Sequence, residues 1–99
     1  MKILIIEDEP RAARRLQQLI HNIAPETEIL GISDSVRETL AYLAAGSDLD
    51  LIFADIQLSD GLSFEIFDKT EVPCPVIFTT AYDQYAINAF NTHGIDYLL

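Results

Sequence analysis

The sequence predicts an α/β fold in which helices cover both faces of a doubly wound, five-stranded parallel sheet. Short apolar runs alternate along the chain with amphipathic helical segments, and two of these runs lead directly into acidic residues. Strands buried on both faces have near-continuous apolar sequences, and alternation of strands with helices is typical of parallel crossover connections. We therefore expect one domain with the strand order 2-1-3-4-5.

The first half of the chain predicts two strands and two helices. Lys2 to Ile6 is a near-continuous, isoleucine-rich run, and the helix that follows begins at Pro10, which a first helical turn tolerates. The run Glu28 to Ile32 then predicts the second strand. Ser35 and Glu38 have the spacing of a capping box, which indicates the start of the second helix.

The second half of the chain repeats this alternation. Gly46 is placed to end the second helix, and Leu51 to Ala54 predicts a third strand that runs directly into Asp55. The remaining predicted elements are, in order, a loop at Ser59 to Gly61, a weaker helix from Ser63 to Lys69, a strand from Val76 to Thr80, a helix capped by Asp83 and a strand from Ile95 to Leu99.

The sequence stops inside the fifth predicted strand, with no turn, cap or polar tail after it. We interpret residues 1–99 as one domain that is truncated before its fifth helix, with any output domain absent. Right-handed crossovers place the first helix on one sheet face and the later helices on the other, so one face would be under-covered. We therefore expect reduced stability and a tendency to form a homodimer.

Composition restricts the classes of function. The formal charge of -10 opposes nucleic-acid binding by this domain, since phosphate neutralisation needs concentrated Lys and Arg. Cys74 is the only cysteine, which excludes an internal disulfide and favours a reducing compartment. The opening apolar run is too short for a signal-peptide core or a membrane span. We expect a cytoplasmic protein without a membrane partner.

Acidic residues follow two of the predicted strands. In an open parallel sheet, ligands bind beyond the carboxyl ends of the strands where the strand order reverses, here between the first and third strands. Glu7 and Asp8 follow the first strand and Asp55 follows the third, so their carboxylates should meet. A raised carboxylate pKa or a hard cation would relieve their repulsion. Mg2+ fits, because it prefers oxygen ligands, keeps several waters and accepts phosphate oxygens.

Each of these acids also has a simpler explanation. Asp8 or Glu9 could cap the first helix, and Asp55 could bond the backbone amides of a following turn. Two separated strand ends that both carry acids favour a ligand site instead. At the end of the fourth strand, the Thr80 hydroxyl and the Ala81 amide could donate to a phosphoryl group beside Asp55, although threonine also suits strands.

Six residues near the predicted strand ends carry a family resemblance: Glu7, Asp8, Asp55, Thr80, Ala81 and Tyr97. As a set they resemble the receiver domains of bacterial two-component response regulators, which have a flavodoxin-like fold. The resemblance covers essentially the whole chain. The segments Phe78 to Phe90 and Gly94 to Leu99 are most similar to receivers that precede a LytTR-type DNA-binding domain.

The resemblance implies a magnesium site and a phosphoryl acceptor. Asp8, Asp55 and the backbone carbonyl of Gln57 would be the ligands of Mg2+, and Glu7 would help through a water molecule. Asp55 would be the nucleophile that takes the phosphoryl group from a phosphohistidine of a sensor histidine kinase. The domain would be a signalling module, not an enzyme.

The resemblance further implies a switch. Thr80 and the backbone amide of Ala81 would contact the phosphoryl group, and Tyr97 would change position with Thr80. The switch would control an output domain that regulates transcription and makes any contact with DNA. Three arginines of the first helix lie where family members usually meet their kinase, but a solvated helix face explains them equally well: Arg11, Arg14 and Arg15.

Two features depart from the family pattern. The segment from Asp55 to Gly61 is short and has Ser59 where many receivers have proline, which leaves the shape of the loop open. The family also has a phosphoryl-binding lysine, followed by proline, just after the fifth strand, and the chain stops at Leu99. The change in the loop leaves the metal ligands unaffected, whereas the lysine bears on phosphorylation and signalling by this fragment more than on metal binding.

Three other functions compete with this interpretation. A magnesium-dependent aspartyl phosphatase of the haloacid-dehalogenase class needs a second aspartate where Gln57 stands. A flavodoxin-like cofactor module needs a hydroxyl- and glycine-rich phosphate loop after the first strand, where three acids would repel phosphate. An interaction module that keeps the fold without phosphorylation is opposed only by the intact acidic set.

Overall fold

A computed structural model describes residues 1–46, 48–72 and 74–79 and the backbone of residues 96–98. In these ranges the elements are β1 (Lys2–Ile6), α1 (Pro10–Ile23), β2 (Glu28–Ser33), α2 (Val36–Ala44), β3 (Leu51–Asp55), β4 (Gln57–Leu58), β5 (Gly61–Leu62), α3 (Phe64–Lys69), β6 (Val76–Thr79) and β7 (Asp96–Leu98).

The main sheet of the described ranges is parallel and has the order β2-β1-β3-β6-β7. Without the short pair β4 and β5, this is the predicted order 2-1-3-4-5, and the predicted fold class is confirmed. The register places Ile6 between Ser33 and Ala54, and Asp55 opposite Thr79. The residues that follow β1 and β3 therefore emerge side by side at one edge of the sheet, which we call the carboxyl edge.

The central strand β1 is buried on both faces, as its isoleucine-rich sequence predicts. Alternate side chains enter two apolar clusters, one that includes Phe78 on the face of α2 and α3, and one that includes Ile20 of α1. Residues 3–6 are each at most 3% exposed. Burial stabilises each large apolar side chain by about 1.5–3 kcal/mol relative to exposure. The strand end that positions Glu7 is therefore firmly held.

The helix ends agree with the capping signals in the sequence. The carboxylate of Glu9 accepts a hydrogen bond from an amide of the first turn of α1. Ser35 Oγ accepts a hydrogen bond from the Glu38 amide (3.0 Å), which confirms one arm of the predicted capping box. The Glu38 carboxyl is instead hydrogen-bonded to Asp34, and this contact raises the pKa of Glu38. Gly46 follows α2 with a φ of 81°, a conformation that favours glycine.

The segment between β3 and α3 contains a hairpin that the sequence did not predict. β4 and β5 pair antiparallel, with Gln57 opposite Leu62 and Leu58 opposite Gly61, around a turn at residues 59–60. Strands of two residues are too short to show the alternation that identifies a strand. The hairpin is nevertheless anchored, because Leu58 is buried in the core.

The later predicted elements are described in part. The strand predicted at Val76 to Thr80 is observed at Val76–Thr79, and the one predicted at Ile95 to Leu99 is observed at Asp96–Leu98. Thr80 itself and the helix predicted after Asp83 lie outside the described residues. Of the helices that are described, none has both the length and the apolar character that a membrane crossing requires.

Candidate functional site

Three carboxylates meet at the carboxyl edge of the sheet. Glu7, Asp8 and Asp55 each place one oxygen so that the three oxygens lie within 4.8 Å of one another. These are the acids that the sequence predicted to converge between the first and third strands. We call this group the acidic pocket.

Backbone hydrogen bonds set the positions of these side chains. The Glu7 amide donates to the Ser33 carbonyl (2.8 Å), which extends the pairing of β1 with β2 beyond the end of β1. The Glu9 amide then donates to Glu7 Oε2 (3.2 Å) and so restrains the Glu7 carboxyl. Asp55 is the last residue of β3, and its Oδ1 accepts a hydrogen bond from the Ile56 amide (2.8 Å).

The acidic pocket carries more negative charge than its surroundings stabilise. Burial, with the charges of Asp55 and Asp8, raises the pKa of Glu7 to about 7 against the hydrogen bond from the Glu9 amide. Burial is also the main cause that raises the pKa of Asp55, and repulsion by Asp8 adds to it. Hydrogen bonds from the Ile56 amide and from Glu7 oppose the shift in Asp55. At neutral pH the Glu7 carboxyl is therefore partly protonated, and a bound cation would displace its proton.

The pocket has the chemistry of a site for a hard cation. Its donors are all carboxylate oxygens, and Asp8 is exposed whereas Glu7 and Asp55 are half-buried. A small divalent ion that keeps several waters needs such a partly open, oxygen-only set. The three carboxylates thus have the arrangement that the sequence predicted, in which a hard cation would relieve their repulsion.

The backbone of Gln57 lies beside the pocket. The Ile56 amide donates to Asp55 Oδ1 (2.8 Å), and the amide of the next residue, Gln57, acts on the same carboxylate by lowering its pKa. The Ile56 carbonyl accepts two hydrogen bonds from Ser63, one from its amide (2.8 Å) and one from its buried hydroxyl (3.2 Å). Hydrogen bonds between Ser63 and Ile56 therefore close a short backbone loop directly after Asp55.

One polar residue near this site was missed by the sequence reasoning. Asp60 Oδ1 accepts a hydrogen bond from the Val36 amide (2.7 Å), and its Oδ2 accepts one from the Arg37 amide (3.0 Å). These bonds lower the pKa of Asp60. The Asp-Gly step was visible as a turn signal, but its bond to a helix 24 residues earlier has no local signature.

The predicted switch lies mostly outside the described residues. Thr80 and Ala81 follow the described end of β6 and are not described themselves. Tyr97 is described as a backbone position of β7, opposite Phe78, without its side chain. The roles assigned to these three residues therefore stay predictions.

Comparison with known proteins identifies the family. Residues 3–99 match the response regulator receiver domain, and the chain belongs to this family. The whole chain is 41% identical over 102 residues to the sensory transduction protein LytT of Bacillus cereus and 40% identical to the transcriptional regulatory protein LytR of Staphylococcus aureus. It spans 41% of the length of each of these relatives.

The fold comparison agrees with the sequence comparison. The response regulatory domain of protein mrkE from Klebsiella pneumoniae superposes with a TM-score of 0.76 and 34% identity, covering 100% of this chain and 82% of that one. The chain is therefore a receiver domain, homologous to those of LytT- and LytR-type response regulators. The family resemblance and the fold predicted from the sequence are both confirmed.

Proposed function

We propose that this domain accepts a phosphoryl group on Asp55 from the phosphohistidine of a sensor histidine kinase, with Mg2+ bound in the acidic pocket. The observation that carries the proposal is the convergence of three carboxylate oxygens within 4.8 Å at the carboxyl edge. A hard cation that also accepts phosphate oxygens matches this pocket and would bring the phosphoryl group next to Asp55.

The proposed metal ligands are Asp8, Asp55 and the backbone carbonyl of Gln57, with Glu7 acting through water. Their fit rests on the all-oxygen donor set and on the Gln57 peptide beside Asp55. Bound Mg2+ would supply positive charge that neutralises the transferring phosphoryl group. Glu7 would give up its proton when the cation binds, because the cation removes the cause of the raised pKa.

Asp55 is the proposed nucleophile. The Ile56 amide donates to Oδ1 and so orients the carboxylate, and Oδ2 would be the attacking oxygen. In the proposed step the bond from Oδ2 to phosphorus forms, the bond from phosphorus to the histidine nitrogen breaks, and the imidazole leaves with the electron pair. The product is an acyl phosphate on Asp55.

The proposed response to phosphorylation involves the residues at the ends of β6 and β7. Thr80 and the Ala81 amide would bond the phosphoryl oxygens, and Tyr97 would follow Thr80. In the longer protein this change would control an output domain, for which the relatedness to a transcriptional regulatory protein favours a DNA-binding regulator. The domain would signal in the cytoplasm and would not act as an enzyme.

The kinase would dock beside the acidic pocket. Arg11 lies in the first turn of α1, close in sequence to Asp8, and Arg14 and Arg15 extend the exposed face of the same helix. Replacing these arginines should slow transfer from a kinase without slowing transfer from a small phosphodonor.

Mass spectrometry after incubation with acetyl phosphate and Mg2+ tests the proposed function. We expect one added phosphoryl group, mapped to Asp55, and none when EDTA replaces Mg2+. Asp55→Asn should remove it, whereas Asp68→Asn, a change to an acid of α3, should not. Phosphorylation that persists in Asp55→Asn, or that occurs equally in EDTA, would contradict the proposal. An unmodified wild-type chain would favour the alternative of an interaction module that works without phosphorylation.

A further inference from the structure

The first turn of α2 is capped from two separate places in the chain. Ser35 Oγ accepts a hydrogen bond from the amide of Glu38, as an N-cap residue does. The two preceding amides, of Val36 and Arg37, donate to the two carboxylate oxygens of Asp60 at 2.7 and 3.0 Å. Because Ser35 already caps the helix locally, the second cap is not needed to begin α2.

Burial of Leu58 anchors one strand of the hairpin, but the exposed tip that carries Asp60 needs an attachment of its own. The strands of the hairpin are only two residues long, and Ser59 and Asp60 at its tip are exposed. An isolated two-stranded hairpin is marginal in water even when it is longer. The two bonds from α2 hold the tip, and they are strengthened because an ionised carboxylate meets the positive end of a helix.

The other end of the hairpin is attached to the acidic pocket. Ser63, which is fully buried, closes the base by donating its amide and hydroxyl to the Ile56 carbonyl. Gln57 lies between this closed base and the tip. The Ile56 amide at the base bonds Asp55 Oδ1 (2.8 Å), and the neighbouring Gln57 amide lowers the pKa of the same carboxylate. A displacement of the tip would therefore move the peptide groups that orient Asp55.

We propose that Asp60 is a positioning residue for the acidic pocket: by tying the β4–β5 hairpin to α2, its carboxylate fixes the Gln57 backbone beside Asp55. The inference rests on the proposed function in one respect, because it takes Mg2+ binding and phosphoryl transfer as the tasks that the pocket performs. Asp60 would thus affect both Mg2+ binding and phosphoryl transfer although none of its atoms belongs to the acidic pocket.

The test compares Asp60→Ala with Ser35→Ala in the full chain. Both variants remove a cap from the first turn of α2, but only Asp60→Ala releases the tip of the hairpin from α2, so Ser35→Ala is the matched control. We expect Asp60→Ala to weaken Mg2+ binding and to slow phosphorylation by acetyl phosphate by about 10-fold, as loss of an outer support does at metal sites. Ser35→Ala should leave both quantities near wild type while lowering thermal stability.

Two further measurements make the test decisive. In NMR spectra Asp60→Ala should shift the amide resonances of Gln57 and Asp55, and Ser35→Ala should shift resonances of α2 alone. Asp60→Asn, which keeps an acceptor for one amide, should restore part of the Mg2+ affinity. Equal affinities in wild type and Asp60→Ala, or equal losses in Asp60→Ala and Ser35→Ala, would overturn the role of Asp60.

The design separates this inference from the proposed function. If wild type binds Mg2+ but takes no phosphoryl group, the proposed function fails, and the Mg2+ and NMR comparisons still decide the role of Asp60. If wild type is phosphorylated and Asp60→Ala behaves identically, only the role of Asp60 is refuted.

Discussion

Glu7 and Asp55 lie at the ends of adjacent strands, and each shifts the pKa of the other in the opposite direction. The charge of Asp55, next to burial, helps to raise the pKa of Glu7 to about 7, whereas the hydrogen bond from Glu7 favours the ionised form of Asp55. A proton on Glu7 thus favours the ionised form of Asp55, which is the form that a nucleophile requires.

We predict that the metal-free domain loses stability as the pH rises between about 4.5 and 7. Glu7 has an ordinary pKa of 4.5 and a folded-state pKa of about 7, so in this range the folded state binds more protons than the unfolded state. The free energy of unfolding must then fall with increasing pH. The effect should be modest because Glu7 is only half-buried and solvent screens its interactions.

Thermal unfolding across this pH range measures the effect. Glu7→Gln, which cannot ionise, should give a flatter profile, and Mg2+ should restore wild-type stability most strongly at the alkaline end. Asp60 does not interfere, because its pKa is lowered from 3.8 and its stabilisation is lost only in more acidic solution. A wild-type profile as flat as that of Glu7→Gln would refute the assignment of the proton.

We predict that Mg2+ binds the acidic pocket with a dissociation constant on the order of 1 mM, because few protein ligands and several retained waters hold the ion. An NMR titration should shift resonances around Glu7, Asp8 and Asp55. Asp8→Asn should weaken binding, while Glu26→Gln, which removes an exposed acid from the turn before β2, should not. Equal affinities in the two variants would indicate a general charge effect instead of a site.

We predict that alanine is tolerated less well at Gly61 than at Gly46. Both glycines have positive φ, 150° and 81°, so a side chain is strained at either position. At Gly46 the added methyl group meets open space, and the expected cost is about 1–2 kcal/mol. At Gly61 the Glu65 carboxylate, the exposed end of a flexible side chain, can swing away from the added methyl group at little cost. The larger cost at Gly61 is backbone strain of up to about 3 kcal/mol at a φ that is almost restricted to glycine.

Chemical denaturation of Gly61→Ala and Gly46→Ala compares these costs. Gly61→Ala should also weaken Mg2+ binding, because relief of the backbone strain would shift the hairpin beside the pocket, whereas Gly46→Ala should not. A larger loss of stability in Gly46→Ala would contradict the described geometry of the hairpin.

We predict that a phosphoryl mimic changes the rotamer populations of Tyr97. The family resemblance pairs Thr80 with Tyr97, and the backbones of β6 and β7 are adjacent strands that end near the pocket. A ligand that binds one of two states more tightly shifts their populations. NMR of the Tyr97 ring with beryllium fluoride and Mg2+ should show the change, and Thr80→Ala should abolish it. Identical populations with and without the mimic would exclude the switch.

The sequence predicted those features that depend on local pattern or on rules of topology. The burial of β1, the cap by Ser35 and the end of α2 at Gly46 follow from residue types at fixed spacings. The convergence of Glu7 with Asp55 follows from the rule that places ligand sites where the strand order reverses.

The features that escaped prediction depend on contacts between distant segments. Asp60 has the sequence context of an ordinary turn residue, and only the folded chain brings it to the amides of α2. The choice of Glu9 over Asp8 as the cap of α1 was also left open, because both have side chains that can accept the bond.

The pairing of β1 with β3 has a consequence for the order of events in folding. It joins segments nearly half the chain apart, so the two walls of the acidic pocket come into contact only after a large loop has closed. In early folding species the carboxylates are far apart, so they do not repel one another and do not yet form a binding site for a cation. A divalent ion that binds only the completed pocket should therefore slow unfolding far more than it accelerates folding.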